Sequence, residues 1–179
     1  MGHAAHVLLV TGGTRSGKSR FAVDRARRCG PRVAYLATCR PADAEMRRRV
    51  ARHRRERPSS WTTLEHPDDL VVALRGLPRR CDAVVIDCLT LYLAQRLVRG
   101  DTDAATSQHL RQLCRALRAV APPVIIVTNE VGSGIVPVAA LGRRFRDVAG
   151  RANQEVARAA DEVVLMVAGL PLWVKGARR

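Results

Sequence analysis

Residues 12–19 constrain this chain most strongly, because they read G-x-x-x-x-G-K-S directly after the apolar run at 7–10. A strand that ends in such a loop and feeds a helix forms a nest of backbone N–H groups that holds phosphate. Lys18 then reaches the β- and γ-phosphates, and Ser19 ligates Mg²⁺. A glycine-rich turn with a surface lysine is the alternative, which the flanking strand and helix patterns disfavour. We therefore expect a nucleoside triphosphate site formed by Gly12, Gly13, Thr14, Arg15, Ser16, Gly17, Lys18 and Ser19.

Apolar runs alternate with helical patterns along the whole chain, which is typical of βαβ units and a parallel sheet. The sequence therefore predicts one α/β domain over residues 1–179, a phosphate-loop NTPase-like fold with a mainly parallel central sheet flanked by helices. Strands are predicted at 7–11, 33–37, 83–87, 124–128 and 162–167, with a last edge strand at 172–175 and a short extended piece at 61–65. Helices are predicted at 18–29, 42–56, 67–74 (with Pro67 in its first turn), 91–99, 104–121 and 139–160 (interrupted near Gly150).

The cysteine content and the apolar runs bear on the cellular setting. The five cysteines are odd in number and form no C-x-x-C pair, so we expect reduced cytoplasmic thiols without a disulfide framework or a zinc site. No apolar run approaches the length that crosses a bilayer, so we expect no stable membrane insertion.

The formal net charge of +15 suggests a nucleic-acid partner. However, arginine supplies nearly all of the positive charge, and the combined richness in arginine and alanine indicates codon bias. Aromatic residues make up only 3% of the chain, which leaves no platform for stacking bases. We therefore expect no nucleic-acid partner, and assign the charge to attracting anionic nucleotides and phosphorylated substrates.

Asp87 ends the apolar strand predicted at 83–87. Ligands of open α/β sheets bind at the carboxyl ends of the strands, where an acid can hold the Mg²⁺ that bridges two phosphates. A helix-capping or turn aspartate is the alternative, and the phosphate loop favours the metal role, with Ser19 as the second protein ligand.

His53 lies in the strongly charged helix predicted at 42–56. A period of 3.6 residues places Met46, Val50, His53 and Arg57 on one face, whereas Arg47, Arg48, Arg54 and Arg55 fall broadly on the other. Neutral imidazole is a competent nucleophile toward phosphorus. Spacing alone nevertheless favours a packed or hydrogen-bonded core histidine.

Asn129 and Glu130 follow another buried strand, in a glycine-rich loop over residues 129–137. On the rim of the phosphate site, Glu130 can serve as a general base or contact a substrate hydroxyl. A polar turn whose glycines supply positive φ angles explains the loop equally well.

Six segments together resemble one enzyme family, the bifunctional adenosylcobinamide kinase / adenosylcobinamide-phosphate guanylyltransferase. The resemblance covers almost the whole chain in order, and the string at 128–137 is far more specific than the phosphate loop. The segments are T-G-G-T-R-S-G-K-S (11–19), Y-L-A-T (35–38), H-R-R-E-R-P (53–58) with Trp61 and Glu65, T-N-E-V-G-S-G-I-V-P (128–137), F-R-D (145–147) and A-G-R-A-N-Q (149–154).

The resemblance implies two reactions. The first phosphorylates the aminopropanol hydroxyl of adenosylcobinamide with a nucleoside triphosphate, GTP or ATP. The second transfers GMP from GTP to that phosphate through a GMP-histidine, whose motif position falls on His53. It also implies a small homo-oligomeric ring, and guanine-nucleotide contacts at the phosphate loop, Ala37, Thr38, Cys39, Arg54, Arg55, Glu56, Arg57, Glu65 and Asp87.

Three positions depart from the family pattern. Cys39 stands where relatives often have serine, Arg52 where some have a second histidine, and Asp87 where some have glutamate. Two other functions stay open on the residues alone: a phosphate-loop kinase without a covalent intermediate, and a non-enzymatic nucleotide-dependent binding module. The sequence contains no recognisable corrinoid-binding motif.

Overall fold

The computed structural model describes residues 6–55, 57–78 and 80–176. Within them, seven strands form one sheet in the order β3-β2-β4-β5-β1-β6-β7, parallel throughout except for the antiparallel β6–β7 pair. The predicted α/β fold with a mainly parallel sheet is thereby confirmed. The elements are β1 (Val7–Gly12), α1 (Lys18–Arg27), β2 (Val33–Ala37), α2 (Ala44–Arg55), β3 (Thr62–Glu65), α3 (Leu70–Arg75), β4 (Ala83–Asp87), α4 (Leu89–Val98), α5 (Asp103–Ala119), β5 (Val124–Val127), α6 (Ala140–Ala159), β6 (Glu162–Val167) and β7 (Leu170–Lys175).

The central strands read as continuous apolar runs because helices cover both faces of the sheet. In β4, Val84 and Ile86 join a core cluster shared with α3, α4, α5 and α6. Ala83 and Val85 point the other way, into a second cluster with α1 and Trp61. The side-chain alternation of each strand thus supplies two cores at once.

The parallel strands bring their carboxyl ends to one edge of the sheet. Gly12 ends β1, Ala37 ends β2 and Asp87 ends β4, and the register pairs Ala37 with Asp87. Val127 ends β5 and pairs with Val10 of β1. The loop between β1 and α1, which carries the G-x-x-x-x-G-K-S motif, therefore lies at the same edge as the other three strand ends.

Several predicted boundaries were wrong: α1 and α5 each end two residues earlier than predicted, α2 begins two residues later, and α4 begins two residues earlier. Three further differences concern α3, α6 and β7. Helix α3 begins at Leu70, because Asp69 caps it by accepting hydrogen bonds from the Val71 and Val72 N–H groups; Pro67 lies before the helix. Helix α6 runs unbroken through Gly150. Strand β7 begins at Leu170, two residues earlier than predicted, because Ala168 and Gly169 both adopt positive φ angles and close a tight hairpin.

None of the described helices combines the length and the apolar character needed to cross a membrane. The longest, α6, has 20 residues, but its exposed face carries several arginines.

Candidate active site

A cavity of about 410 Å³ opens at the carboxyl edge of the sheet. Six parts of the chain contribute to its wall: the phosphate loop with the start of α1, the ends of β2, β4 and β5, one face of α2 and the start of α4. The lining residues are Thr14, Arg15, Ser16, Gly17, Lys18, Ser19, Arg20, Ala37, Cys39, Met46, Val50, Arg52, His53, Arg57, Asp87, Cys88, Leu91, Val127 and Asn129.

The glycines of the phosphate loop permit backbone angles and close approaches that other residues would not tolerate. Gly12 has a φ of 145°, and a Cβ on it would lie 2.5 Å from the Met166 carbonyl oxygen. Gly17 has a φ of 95° at the N-cap of α1. Among the described residues, Gly12 and Gly13 do not reach the cavity wall. They instead determine the path of the loop backbone at 14–19, which lines the cavity.

Lys18 is 7% exposed, although its side chain lines the cavity. Its ammonium donates to the Gly13 carbonyl at 2.5 Å and lies 3.4 Å from the Ser16 hydroxyl. The loop backbone thus holds the Lys18 ammonium beside the position where the motif binds a phosphate chain.

Helix α2 presents to the cavity the face predicted from its periodicity. Met46, Val50 and His53 all line the wall, as does Arg57 just beyond the helix end. Arg54 and Arg55 are exposed and do not line the cavity. The predicted contact Glu56 lies outside the described residues. His53 and the phosphate loop therefore line the same cavity. Helical spacing alone could not decide between this arrangement and a histidine packed in the core.

Asp87 lines the cavity at the end of β4, together with Ser19 at the start of α1. Its Oδ2 accepts a hydrogen bond of 2.5 Å from the Tyr35 hydroxyl. Burial and the neighbouring Asp87 charge raise the pKa of Tyr35 well above its ordinary value. The phenol is therefore neutral at physiological pH, and donates to the carboxylate.

The described residues contain no group of three or more histidine, cysteine or acidic side chains that could hold a metal. Magnesium in phosphate sites needs only one or two protein ligands, since phosphates and waters complete its octahedron. The Ser19 hydroxyl and the Asp87 carboxylate are hard oxygen donors on one cavity wall, and so they fit such an ion.

Arg57 brings a half-buried cation to the cavity. Its Nε and Nη1 are buried without a hydrogen-bond partner in the described part of the chain. Its guanidinium lies over the Tyr35 ring, 3.6 Å from the centroid. Because buried donors are almost always paired, two guanidinium nitrogens without a hydrogen-bond partner at this wall are suited to an anionic ligand such as phosphate.

The three residues at 37–39 differ in placement. Ala37 and Cys39 line the cavity. Thr38 is 1% exposed, and its hydroxyl donates to the Cys88 carbonyl and accepts from the Cys88 N–H, both at 2.7 Å. Its side chain thus ties β2 to the end of β4 and does not face the cavity. Glu65, at the end of the outer strand β3, also lies off the wall.

Asn129 lines the cavity, and a hydrogen-bond network that sequence reasoning missed holds Glu130 beside it. Glu130 Oε1 accepts from the Thr11 hydroxyl at 2.6 Å and from Asn153 Nδ2 at 2.9 Å. Asn153, a buried polar residue of α6, also donates to the Asn129 carbonyl at 3.1 Å. The A-N-Q string of the sequence carried this signal, since an asparagine within an apolar helix face needs partners.

Other wall residues were also missed. Arg20, Arg52, Cys88, Leu91 and Val127 line the cavity without having been predicted as site residues. Burial raises the pKa of the Cys88 thiol to about 11, so it is an unreactive part of the wall. Their positions in the sequence, close to predicted strand ends or to predicted site residues, could have indicated that they line the site.

Comparison with solved structures supports the fold. The chain superposes on the RadB recombinase with a TM-score of 0.53 at 20% identity, over 90% of this chain and 74% of that one. At this identity the likeness extends to the fold alone.

Sequence comparison is more specific. The family model for cobinamide kinase / cobinamide phosphate guanyltransferase matches residues 8–174. The bifunctional adenosylcobalamin biosynthesis protein CobP of Pseudomonas aeruginosa is 40% identical over 94% of this chain and 96% of its own length. The corresponding CobU proteins of Salmonella typhimurium and Escherichia coli are 39% and 38% identical, each over 94% of this chain and 99% of their own. The chain belongs to the cobinamide kinase / cobinamide phosphate guanyltransferase family.

Proposed function

We propose that this chain phosphorylates adenosylcobinamide and then transfers GMP from GTP to the resulting phosphate through a GMP adduct of His53. The observation that carries the proposal is that His53 and the phosphate loop line one cavity. A triphosphate held by Lys18 and the loop amides would extend its α-phosphate toward the α2 wall, where the His53 imidazole would act as the nucleophile.

In the guanylyl step, a lone pair on an imidazole nitrogen of His53 forms a bond to the α-phosphorus of GTP. The bond from that phosphorus to the oxygen bridging the β-phosphate breaks, and pyrophosphate leaves with the electron pair. Lys18 and the loop N–H groups stabilise the charge that develops on the leaving group. The second ring nitrogen keeps its proton, so the modified ring is cationic and remains a good leaving group.

The adduct is resolved by the second substrate. A phosphate oxygen of adenosylcobinamide phosphate attacks the same phosphorus, the P–N bond breaks, and His53 is regenerated as neutral imidazole. Arg52 and Arg57 on the cavity wall would attract this anionic substrate.

In the kinase step the same cradle holds the β- and γ-phosphates, and the substrate hydroxyl oxygen attacks the γ-phosphorus. The bond from that phosphorus to the oxygen bridging the β-phosphate breaks, and the nucleoside diphosphate leaves with the electron pair. Asn129, on the wall, is the proposed contact to the hydroxyl-bearing arm. Glu130, held in place by Thr11 and Asn153, is the proposed proton acceptor. When bound, Mg²⁺ held by Ser19 and Asp87 would neutralise charge on the phosphates.

The experiment is turnover of adenosylcobinamide with Mg²⁺ and either GTP or ATP, resolving adenosylcobinamide phosphate from adenosylcobinamide-GDP. We expect His53→Ala to retain phosphorylation and lose guanylyl transfer. Retention of both reactions would identify a kinase-type enzyme without a covalent intermediate. Absence of both in the unmodified chain would leave only nucleotide binding.

A further inference from the structure

Tyr35 occupies an unusual place for a core tyrosine. It lies in the middle of β2 and is 1% exposed, yet it contacts two residues of the cavity wall. Its hydroxyl donates to Asp87, and its ring lies under the guanidinium of Arg57. The Trp61 ring stacks against it with centroids 6.2 Å apart. One buried side chain therefore touches both the proposed metal carboxylate and the segment that follows α2.

The hydroxyl contact follows from strand register. Tyr35 pairs with Val85 on β4, so Asp87 is two residues farther along the neighbouring strand on the same face of the sheet. Such diagonal neighbours are within reach of an aromatic side chain. The sheet thus fixes this contact, and through it the orientation of the Asp87 carboxylate.

The ring contact joins the sheet to the His53 segment. The guanidinium carbon of Arg57 lies 3.6 Å from the ring centroid, in the range of a close cation–π contact. Arg57 is four residues beyond His53, and its N–H donates to the Arg54 carbonyl at 3.3 Å in the turn that ends α2. A tether at Arg57 therefore constrains the last turn of the helix, where His53 lies.

We propose that Tyr35 is a positioning residue for guanylyl transfer, whose ring holds Arg57 and thereby keeps His53 facing the α-phosphorus of the bound triphosphate. The inference rests on the proposed function above. The kinase step does not use His53, so loss of the ring should slow guanylylation more than phosphorylation. Loss of the hydroxyl alone affects Asp87, which both reactions share, and should lower both rates together.

Two substitutions separate these roles. Tyr35→Phe keeps the ring and removes the hydroxyl, whereas Tyr35→Leu removes both. We compare the single-turnover rate of GMP–protein formation at saturating GTP with the rate of adenosylcobinamide phosphorylation by the same preparation. We expect the ratio of the two rates to fall at least tenfold in Tyr35→Leu and to stay within threefold of the unmodified chain in Tyr35→Phe.

Tyr92→Leu is the matched control. Tyr92 is also a buried tyrosine, 2% exposed, but it packs against α3 and α5 and does not line the cavity. If general loosening of the core were the cause, Tyr92→Leu would change the ratio as much as Tyr35→Leu does, and the proposal would be wrong. Equal ratios in Tyr35→Phe and Tyr35→Leu would also overturn it, while leaving the proposed function intact.

The remaining outcomes are equally decisive. If the unmodified chain forms no GMP adduct, the proposed function fails, and the inference fails with it. If Tyr35→Leu shows no cooperative unfolding, Tyr35→Met asks the same question, since its flexible thioether chain fills a core gap without supplying a ring. A tenfold lower ratio in Tyr35→Met would support the tether, and an unchanged ratio would contradict it.

Discussion

Replacing Gly12 by alanine should disrupt both the stability and the nucleotide site of this protein. The φ of 145° at Gly12 belongs to a region that L-residues rarely adopt. An added Cβ would also lie 2.5 Å from the Met166 carbonyl oxygen and 2.8 Å from the Ser16 hydroxyl. Backbone strain and overpacking together should cost roughly 2–6 kcal/mol.

The neighbouring glycine provides the control. Gly13 is outside the positive-φ region, and a Cβ there would meet nothing within 4 Å. Gly13→Ala should therefore change the free energy of unfolding by less than about 1 kcal/mol.

Urea unfolding followed by circular dichroism measures both variants. We expect the midpoint to fall by at least about 1 M in Gly12→Ala, given the usual dependence of stability on urea concentration. Calorimetric titration with GTP should show a matching loss of affinity, because Gly12 sets the path of the loop. Equal midpoints for the two variants would refute the steric reasoning.

Three further predictions concern other parts of the molecule. Lys18→Ala should weaken GTP binding at least tenfold by calorimetry, because a charge-assisted contact to phosphate is lost; unchanged affinity would remove Lys18 from the site. Thr38→Val should lower the free energy of unfolding by roughly 1–3 kcal/mol, because the buried Cys88 N–H loses its partner while the Cys88 carbonyl keeps the Tyr92 N–H, whereas Thr62→Val on the exposed edge strand should have little effect. Burial, and then the Arg96 charge, lower the pKa of His109, while the charges of Asp69 and Asp101 oppose this shift. As the pH falls, this histidine is therefore protonated in the unfolded state before it is protonated in the folded state. The free energy of unfolding should therefore fall as the pH drops below about 6.5, and His109→Gln should show a shallower fall between pH 7 and 5; identical slopes would contradict this assignment.

The parts of the fold set by local pattern could be predicted from the sequence. The strands at 33–37, 83–87 and 162–167 match the observed bounds, because each is a short apolar run between clear breaks. The cavity-facing side of α2 followed from helical periodicity alone. The errors at α3 and β7 arose where local detail overrode the pattern: the Asp69 cap moved the start of α3 beyond Pro67, and the positive φ angles of Ala168 and Gly169 moved the start of β7.

The long-range contacts of the site could not be predicted from the sequence. Tyr35 and Asp87 are 52 residues apart, and only the pairing of β2 with β4 brings them together. The same holds for Glu130 and Asn153, which α6 brings to the end of β5. Thr38 shows the converse case, since the family resemblance implied a nucleotide contact there, whereas its hydroxyl is hydrogen-bonded to the Cys88 backbone.

The most direct test of the account is whether the α-phosphate of GTP becomes bound to His53. The protein is incubated with Mg²⁺ and GTP labelled at either the α- or the γ-phosphate, and the protein-bound label is tested for stability in acid and base. We predict an acid-labile, base-stable label from the α-position only, present in a His66→Asn control and absent in His53→Ala. A label that persists in His53→Ala, or none in the unmodified chain, would contradict the account.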